Sequence, residues 1–405
     1  MRPAFLLAAV LLASCARTAV VSSASDSELR ARARAVHQRI ITIDTHDDIP
    51  LNFATAEVDP LNANRQVNLE KMKAGGLDVG FFIVFVGQSP RTSENYERAK
   101  NDAMTKFNAI RRMALEMYPD RIALVTTPAE VRAAKRSGKL GAAIGIENGF
   151  VIGKDLSLIQ RYFDLGARYM TLAHSQNNDI CDSSTDPRGP EHNGLSEFGR
   201  QVVREMNRVG MMVDVSHVSK ACMMQATALS TKPVIGSHSS TKAVADHPRN
   251  MDDEQLRAVA RNGGVVQMVA LGAYVKVDAP EKRAAIDSLR RSMGITGGGR
   301  GALASLTPDQ RAAYQRGLDA IEAKWPGATV ADFVNHIDHA VRIAGIDHVG
   351  ISSDFDGGGG ITGWRDASET MNVTVELLRR GYTEQQIEKL WSGTTLRVWE
   401  ANLHR

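Results

Sequence analysis

Met211-Met-Val-Asp-Val-Ser-His217 and, further on, Pro233-Val-Ile-Gly-Ser-His238 are short apolar runs that both end in Ser-His. Runs of this length and composition are typical of strands that are covered on both faces of a parallel sheet. Parallel strands need a crossover connection, and residues 218–232 are long enough to form a helix there. The two stretches therefore predict consecutive strands of an α/β fold, each with a histidine at its carboxyl end.

The same alternation of short apolar runs and longer amphipathic segments continues along the chain. Capping sequences such as Thr307-Pro-Asp-Gln310 and Thr383-Glu-Gln-Gln386 mark helix starts. Eight predicted strands with helical segments between them indicate a (β/α)8 TIM barrel, a single domain over 38–405. Between the last two strands we expect a helical excursion at 280–327, which either covers the mouth of the barrel or mediates assembly. The predicted strands are 40–45, 78–86, 141–146, 168–173, 211–216, 233–237, 264–270 and 348–353.

The charge balance argues against a nucleic-acid partner. The chain has 405 residues and carries 49 Lys and Arg residues against 46 Asp and Glu residues, a net charge of +3, with no long run of either sign. Proteins that bind nucleic acids usually carry a basic patch. The hydrophobic fraction of 43% is ample for a large core, so the composition is typical of a globular enzyme.

The first residues have the pattern of a bacterial lipoprotein signal. Arg2 precedes a short apolar stretch at 5–13, and Leu12-Ala-Ser-Cys15 resembles the lipobox, after which the cysteine is acylated. We expect a signal peptide at 1–14, a lipidated Cys15 with a tether over 15–37, and an exported, membrane-anchored periplasmic protein. Ala16, rather than Asp, after the cysteine favours the outer membrane if the organism is Gram-negative. An ordinary export signal with a chance cysteine is the alternative.

Two further cysteines, Cys181 and Cys222, follow the fourth and fifth predicted strands. An even pair in an oxidising compartment can form a disulfide, here near the mouth of the barrel. Two unrelated buried thiols fit the sequence equally well.

Six acidic or histidine residues stand at the carboxyl ends of predicted strands. These ends converge on one mouth of an α/β barrel, so residues that are distant in sequence meet there. His46 and Asp48 lie on the same side of an extended segment, because side chains alternate with a period of two. Three imidazoles and three carboxylates on one mouth form the ligand set of a metal hydrolase with two ions. The six residues are His46, Asp48, Glu147, His217, His238 and Asp354.

Two more residues follow predicted strands at the same end of the barrel. His174 joins the mouth from the fourth strand, and Arg249, after the sixth, can hold a substrate carboxylate through its planar fork. The alternatives are one more polar loop residue for His174 and an exposed salt bridge for Arg249. His336 and His339 fall on a predicted helix outside the barrel and are interpreted as surface residues.

These residues lie in motifs that resemble the membrane (renal) dipeptidase family of zinc metallopeptidases. The resemblance covers about 38–270 and 345–400 and implies a TIM barrel of the metal-dependent hydrolase type. The chain departs from the family at Asp47, where Asn is usual, and at Phe150, where mammalian relatives have His. The matching motifs are Asp44-Thr-His-Asp-Asp48, Gly145-Ile-Glu147, Thr171-Leu-Ala-His174, Val213-Asp-Val-Ser-His217, Ile235-Gly-Ser-His238, Pro248-Arg-Asn250 and Gly350-Ile-Ser-Ser-Asp-Phe-Asp356.

The resemblance implies two zinc ions per chain. His46 and Asp48 would hold the first ion, and His217 and His238 would hold the second. Glu147 would bridge the two ions through its two carboxylate oxygens.

The same resemblance implies the chemistry and the partners. Asp354 would lie against the first zinc and act as a catalytic proton shuttle. His174 would bind substrate and stabilise the developing oxyanion, while Arg249 would bind the free C-terminal carboxylate. The expected activity is hydrolysis of dipeptides, including those with a C-terminal D-residue, by a homodimer. An N-acyl-amino-acid deacylase or another amidohydrolase on the same barrel is the alternative enzyme, and a ligand-binding lipoprotein with a decayed site is the alternative that is not an enzyme.

Overall fold

The computed structural model describes residues 24–295 and 306–403. The predicted signal peptide at 1–14, Cys15 and the first part of the predicted tether therefore lie outside the described residues. Across the two described ranges, no helix combines the length and the hydropathy needed to cross a membrane.

Nine parallel strands form the central sheet of the described residues. They are β1 (Ile43–Asp48), β2 (Val79–Phe85), β3 (Ile122–Leu124), β4 (Leu140–Glu147), β5 (Ala167–Thr171), β6 (Met212–Asp214), β7 (Ile235–Ser239), β8 (Val265–Val269) and β9 (Val349–Ser352). Their hydrogen-bonded order is β1-β2-β4-β5-β6-β7-β8-β9, and β3 pairs with β4 alone. The backbone N–H of Asp48 donates to the carbonyl of Phe355, beyond β9, at 2.9 Å. The sheet is therefore a nearly closed barrel, and the predicted TIM-barrel class is confirmed.

Helices connect the strands on the outside of the barrel. They are α1 (Asp26–Arg39), α2 (Leu69–Gly75), α3 (Ser93–Arg112), α4 (Pro128–Arg136), α5 (Ser157–Asp164), α6 (Glu197–Val209), α7 (Lys220–Leu229), α8 (Asp253–Asn262), α9 (Gly272–Val275), α10 (Pro280–Ser292), α11 (Pro308–Lys324), α12 (Val330–Ala344), α13 (Met371–Arg379), α14 (Glu384–Glu388) and α15 (Thr394–Leu403). The two capping sequences quoted above form capping boxes at the starts of α11 and α14, with Thr307 and Thr383 as N-caps. Helix formation there follows from local sequence, because the cap satisfies backbone N–H groups that have no partner within the helix.

Large side chains fill the barrel at its amino end. The ring of Phe81 on β2 lies 5.4 Å from that of Tyr169 on β5 and 5.3 Å from that of Trp399 on α15. All three side chains are fully buried. Arg397 of α15 also binds the backbone carbonyls of Gly263 and Asp347, which precede β8 and β9. The C-terminal helix therefore packs across the amino end of the barrel and leaves the carboxyl end as the open mouth.

α1 begins at Asp26, inside the segment that the sequence assigns to a tether over 15–37. Its buried face, Leu29, Ala33 and Val36, belongs to the main core, and α1 packs against α13. Asp26 pairs with Arg379 of α13 at 2.9 Å. α1 therefore packs on the domain although it precedes the predicted start at residue 38, because a run rich in arginine contains an amphipathic helix with an apolar face.

The predicted helical excursion at 280–327 contains α10 and α11, which pack on each other. A small apolar cluster with Tyr314 at its centre joins them. Lys282 of α10 is almost fully buried, and its Nζ lies 2.9 Å from Asp278 and 2.7 Å from Glu322 of α11. The described parts of the excursion are helical, as predicted.

His336 and His339 are buried, so the prediction that they are surface residues is wrong. They lie on α12, which packs against β8 and α8. Nε2 of His336 is 2.8 Å from the carbonyl of Val275, and its Nδ1 accepts from the N–H of Thr241 at 3.0 Å. Nε2 of His339 is 2.7 Å from Oδ1 of Asp253. Both imidazoles satisfy polar groups beneath α12.

Candidate metal centre

The six residues predicted as metal ligands lie together at the open end of the barrel. Four of them lie within a strand instead of beyond it, because β1, β4 and β7 extend further than predicted. The positions are His46 and Asp48 in β1, Glu147 at the end of β4, His217 after β6, His238 in β7 and Asp354 after β9.

The carboxylate of Glu147 lies at the centre of this group. Its Oε1 is 3.0 Å from Nε2 of His217 and 3.3 Å from Nε2 of His238. Its Oε2 is 3.6 Å from Nε2 of His46. A carboxylate whose two oxygens face different imidazoles can bridge two cations.

Three hydrogen-bonded side chains determine which nitrogen of His238 faces Glu147. The hydroxyl of Ser237 donates to Oδ2 of the buried Asp214 at 2.6 Å and lies 2.8 Å from Nδ1 of His238. Because that hydroxyl has only one proton, it accepts from Nδ1–H, and Nε2 of His238 keeps its lone pair. Partners of this kind fix the tautomer and orientation of histidines that bind metals.

Tyr169 has the same effect on His46. Its hydroxyl donates to the carbonyl of Thr45 at 2.8 Å and lies 3.0 Å from Nδ1 of His46. Since a carbonyl can only accept, the hydroxyl accepts from Nδ1–H of His46. Nε2 of His46 therefore faces the carboxylates. Burial lowers the pKa of His46, but Glu147 and Asp48 outweigh it and raise that pKa to about 9.

Asp48 and Asp354 converge beside His46. One ligand atom of each of these three residues lies within 4.8 Å of the other two. Gly357 lies against both carboxylates, and a Cβ at this position would overlap Oδ1 of Asp354 and Oδ2 of Asp48. Glycine is required at position 357 because it alone leaves room for the two carboxylates.

Two of the six residues have a left-handed backbone. The angle φ is 68° at His217 and 60° at Asp354. This conformation costs about 1–3 kcal/mol for a residue other than glycine and persists where the surroundings enforce it, often at functional sites. At His217 the N–H of Ser184 holds the backbone carbonyl at 2.8 Å.

The donor atoms fit divalent cations. The Nε2 atoms of His217 and His238 lie 2.8 Å apart, and burial lowers the pKa of both imidazoles well below the ordinary range. Nε2 of His46 is buried and has no hydrogen-bond partner among the described residues. Neutral imidazoles and carboxylates are the donors that zinc prefers. Three groups of potential ligands result: His46, Glu147 and His238; Glu147, His174 and His217; and His46, Asp48 and Asp354.

The two carboxyl groups of Glu147 and Asp354 differ in their proton affinity. Burial alone would raise the pKa of Glu147, but the imidazoles of His174 and His46 outweigh it and hold that pKa well below the ordinary range. Burial and the neighbouring Asp48 carboxylate outweigh His46 at Asp354 and raise its pKa well above the ordinary range. Of these two carboxyl groups, that of Asp354 binds a proton more readily.

A cleft of about 450 Å³ opens over the centre. His174 lies in its wall, with Nε2 3.6 Å from Oε1 of Glu147 and Nδ1 2.8 Å from the hydroxyl of Ser175. The cleft is lined by Asp48, Phe85, Glu147, His174, Ser175, Thr185, His217, His247, Arg249, Leu271, Tyr274, Asp354 and Gly357. Neither α10 nor α11 contributes a described side chain to this lining.

Arg249 also lines the cleft, and its side chain is buried. Nη2 donates to the carbonyl of His238 at 3.2 Å, and the guanidinium carbon lies 5.3 Å from the centroid of the Tyr274 ring. Nε has no hydrogen-bond partner among the described residues. The arginine is only 4% exposed, and it forms an ion pair with no carboxylate of the described residues. It is therefore not the exposed salt bridge that was the alternative to a substrate-binding role.

Some residues around the site escaped the sequence analysis. Asp214 carried a usable signal, since it is a carboxylate inside an apolar strand, whereas Tyr169, Phe85 and Tyr274 look like ordinary core residues in the sequence. Phe150, which departs from the family, is buried 5.2 Å from the ring of Tyr96 and does not line the cleft.

Cys181 and Cys222 are buried free thiols. They are not unrelated, however, because burial and the adjacent Cys181 thiol raise the pKa of Cys222 well above the ordinary range. The structure thus brings the two sulfurs together without a disulfide between them.

The family model of the membrane dipeptidases, peptidase family M19, matches residues 30–404. This chain belongs to peptidase family M19. It is a metallo-dipeptidase and hence a hydrolase, and the family predicted from the sequence motifs is confirmed.

Individual relatives agree with this membership of family M19. "Dipeptidase tcpJ" of Claviceps purpurea is 31% identical over 337 residues, which are 82% of this chain and 68% of the relative. The crystal structure of the probable dipeptidase PvdM from Pseudomonas aeruginosa is 30% identical, has a TM-score of 0.82 and covers 93% of this chain and 99% of its own. A metallo peptidase from Rhodobacter sphaeroides, liganded with a phosphinate mimic of L-Ala-D-Ala, shares the fold at 24% identity and a TM-score of 0.70, covering 90% of this chain and 99% of its own.

Proposed function

We propose that this metallo-dipeptidase uses two zinc ions to hydrolyse dipeptides that have a free C-terminal carboxylate, including dipeptides with a C-terminal D-residue. The observation that carries the proposal is a buried guanidinium, that of Arg249, on the same cleft as the donor atoms around Glu147. A cation without an ion-pair partner in the described residues is suited to an anionic end of a substrate.

Each of the six donor residues has a place in this assignment. His46 and Asp48 would hold one ion with Asp354 beside it, His217 and His238 would hold the other, and Glu147 would contribute to both. When bound, the ions supply Lewis acidity that polarises the substrate carbonyl and lowers the pKa of water toward neutrality. The hydrogen bonds at Nδ1 of His46 and His238 orient the Nε2 atoms of these two residues toward Glu147.

Two side chains of the cleft carry out the proton transfer and the charge stabilisation. Asp354 takes a proton from the attacking water and delivers it to the leaving amine, because its carboxylate lies at the cleft beside the donor atoms of His46 and Asp48. His174 lies in the cleft wall beside Glu147, where it donates a hydrogen bond from Nε2 to the developing oxyanion. The hydroxyl of Ser175 then accepts or donates at Nδ1 according to the charge of the ring.

Arg249 sets the length of the substrate. Its guanidinium binds the C-terminal carboxylate in a buried position, so a tripeptide would replace that carboxylate with an uncharged amide. Leaving a buried cation without its anion costs about 1–3 kcal/mol or more. The preference for dipeptides over longer peptides follows from this cost.

The test is zinc content together with hydrolysis of a panel of L-Xaa-L-Xaa and L-Xaa-D-Xaa dipeptides, their C-terminal amides and N-acyl amino acids. We expect two zinc ions per chain and cleavage of dipeptides but not of the amides. Asp354→Asn should abolish cleavage, whereas Asp347→Asn, at an exposed partner of Lys389, should not. Arg249→Met should remove the preference for the free carboxylate.

Other results would point to the alternatives. Release of acyl groups from N-acyl amino acids without any cleavage of dipeptides would favour the deacylase that shares this barrel and this arginine. Protein that binds no zinc after reconstitution and cleaves nothing would contradict both hydrolase proposals.

We also propose that the protein is exported to the periplasm and anchored to a membrane there through an acylated Cys15, and that it forms a homodimer. The sequence around Cys15 supports the first proposal, and the family resemblance supports the second. Labelling with a radioactive fatty acid in cells tests the anchor, which Cys15→Ser should abolish. Sedimentation of a form that starts at residue 24 tests the dimer, and a purely monomeric species would contradict it.

A further inference from the structure

The side chain of Lys106 is largely buried and has no pairing anion among the described residues. It lies on α3 and is 5% exposed. No hydrogen bond or ion pair reaches its Nζ from residues 24–295 or 306–403, and the contact that its ammonium makes is with the ring of Phe85, at 5.6 Å from the centroid. Lysine is almost never fully buried without a partner, so this position calls for an explanation.

The ring of Phe85 contacts both this ammonium and the candidate active site. It is the last residue of β2, its side chain lines the cleft, and its ring lies 4.8 Å from that of His174. The field of Lys106 also reaches the cleft. Burial lowers the pKa of Lys106, while the Asp48 and Glu147 carboxylates raise it.

The strand order places Phe85 across the mouth from Arg249. Arg249 follows β7, which is four strands from β2 in either direction around the nearly closed barrel. A dipeptide whose C-terminal carboxylate binds Arg249 therefore extends across the centre toward Phe85. The side chain of the N-terminal residue lies on the Phe85 side.

We propose that Phe85 and Lys106 form the subsite for the side chain of the N-terminal residue, and that this subsite accepts uncharged apolar side chains and rejects cationic ones. This inference rests on the proposed dipeptidase function. The Phe85 ring offers an apolar wall, but the Lys106 ammonium already lies over this ring, 5.6 Å from its centroid, so the ring cannot stabilise a second cation well. A substrate ammonium against this wall meets a positive charge through a medium of low dielectric constant, where repulsion is strong.

Norleucyl-alanine and lysyl-alanine test the proposal, because their N-terminal side chains are similar in length and differ in charge. With the zinc-loaded full chain we expect kcat/KM to be at least tenfold higher for norleucyl-alanine. Lys106→Met should raise kcat/KM for lysyl-alanine and leave norleucyl-alanine nearly unchanged, reducing the ratio to about threefold or less. Lys106→Arg should keep the wild-type ratio.

Lys100→Met is the matched control, because Lys100 lies on the same helix and pairs with Glu97 at 2.7 Å on the surface. It should keep the wild-type ratio. If Lys106→Met does not fold, Lys106→Gln replaces it, with the melting temperature measured for each variant. An unchanged ratio in the folded variant, or an equal loss on both substrates, overturns the proposal. Failure of the wild-type enzyme to cleave any dipeptide would instead contradict the proposed function itself.

Discussion

Gly145 lies against the ring of Tyr169, and a Cβ at position 145 would overlap the end of that ring. The two residues are register partners on the neighbouring strands β4 and β5. The missing side chain lets the tyrosine extend across the inside of the barrel to His46 on β1. The backbone of β4 therefore determines, through Tyr169, which nitrogen of His46 faces the carboxylates.

Tyr169→Phe should weaken zinc binding by about 10–100-fold, because partners of ligand histidines contribute to affinity on that scale. The measurement is competition with a chromophoric chelator on folded protein. Tyr162→Phe is the control, since Tyr162 is also buried but its hydroxyl donates to the carbonyl of Val151, away from the centre. Wild-type affinity in Tyr169→Phe would show that the hydroxyl does not orient His46.

Gly357→Ala should reduce kcat/KM for dipeptides by about 100-fold or more, because displacement of a catalytic group by about 1 Å can cost that much. The new methyl group would push Asp354 and Asp48 apart. Gly272→Ala is the matched control, because nothing lies within 4 Å of a Cβ built there. Activity of Gly357→Ala close to that of Gly272→Ala would contradict the convergence of the two carboxylates.

His37 should make the protein less stable in acid. Burial lowers the pKa of His37 from an ordinary 6.5 to about 4, and the neutral Nε2 lies 2.7 Å from the Thr374 hydroxyl. Between these two pH values the unfolded chain binds the proton and the folded chain does not. The contribution of neutral His37 to the free energy of unfolding is therefore complete above pH 6.5. It is lost as the pH falls toward 4, by about 3 kcal/mol in total.

Urea unfolding of wild type and His37→Gln at pH 7.5 and pH 4.5 measures this effect. The wild-type free energy of unfolding should fall by about 2 kcal/mol more than that of the variant. The metal centre titrates alike in both proteins, so the comparison between them isolates His37. Equal losses in the two proteins would show that His37 is not buried in the neutral form.

Removal of α1 should destabilise the domain. A chain that begins at residue 38 loses the buried side chains of Leu29 and Val36, which contribute about 1.5–3 kcal/mol each. A chain that begins at residue 24 keeps them. Thermal unfolding of the two chains compares them directly. Equal melting temperatures would support a domain that starts at residue 38.

The predicted strands could be found because each is a short apolar run that ends near a polar residue, and the sequence displays this pattern directly. β3, Ile122–Leu124, was missed because three residues are too few to show a period. His336 and His339 were misplaced for a different reason. A polar residue on a helix suggests a surface, and only the packing of α12 over the carbonyl of Val275 and the carboxylate of Asp253 reveals that these imidazoles have buried partners.

The donor residues could be predicted as a group, since each ends a predicted strand within a family motif. The residues that orient them could not. The contact of Tyr169 with His46 joins positions 123 residues apart, and it depends on a glycine in the intervening strand. Lys106 gave no signal at all, because a lysine on an amphipathic helix is usually solvated and the burial of its side chain follows from the fold around Phe85.

Asp48 and Asp354 come from the two ends of the same sheet, the first strand and the turn after the last. At this seam the backbone contributes one isolated bridge, between Asp47 and Phe355, instead of a continuous ladder. An ion held by both carboxylates would link the first strand to the turn after the last strand. Asp48 is synthesised early and Asp354 only near the end of the chain. The ability to retain metal would therefore report that the last strand has docked and that the barrel has closed.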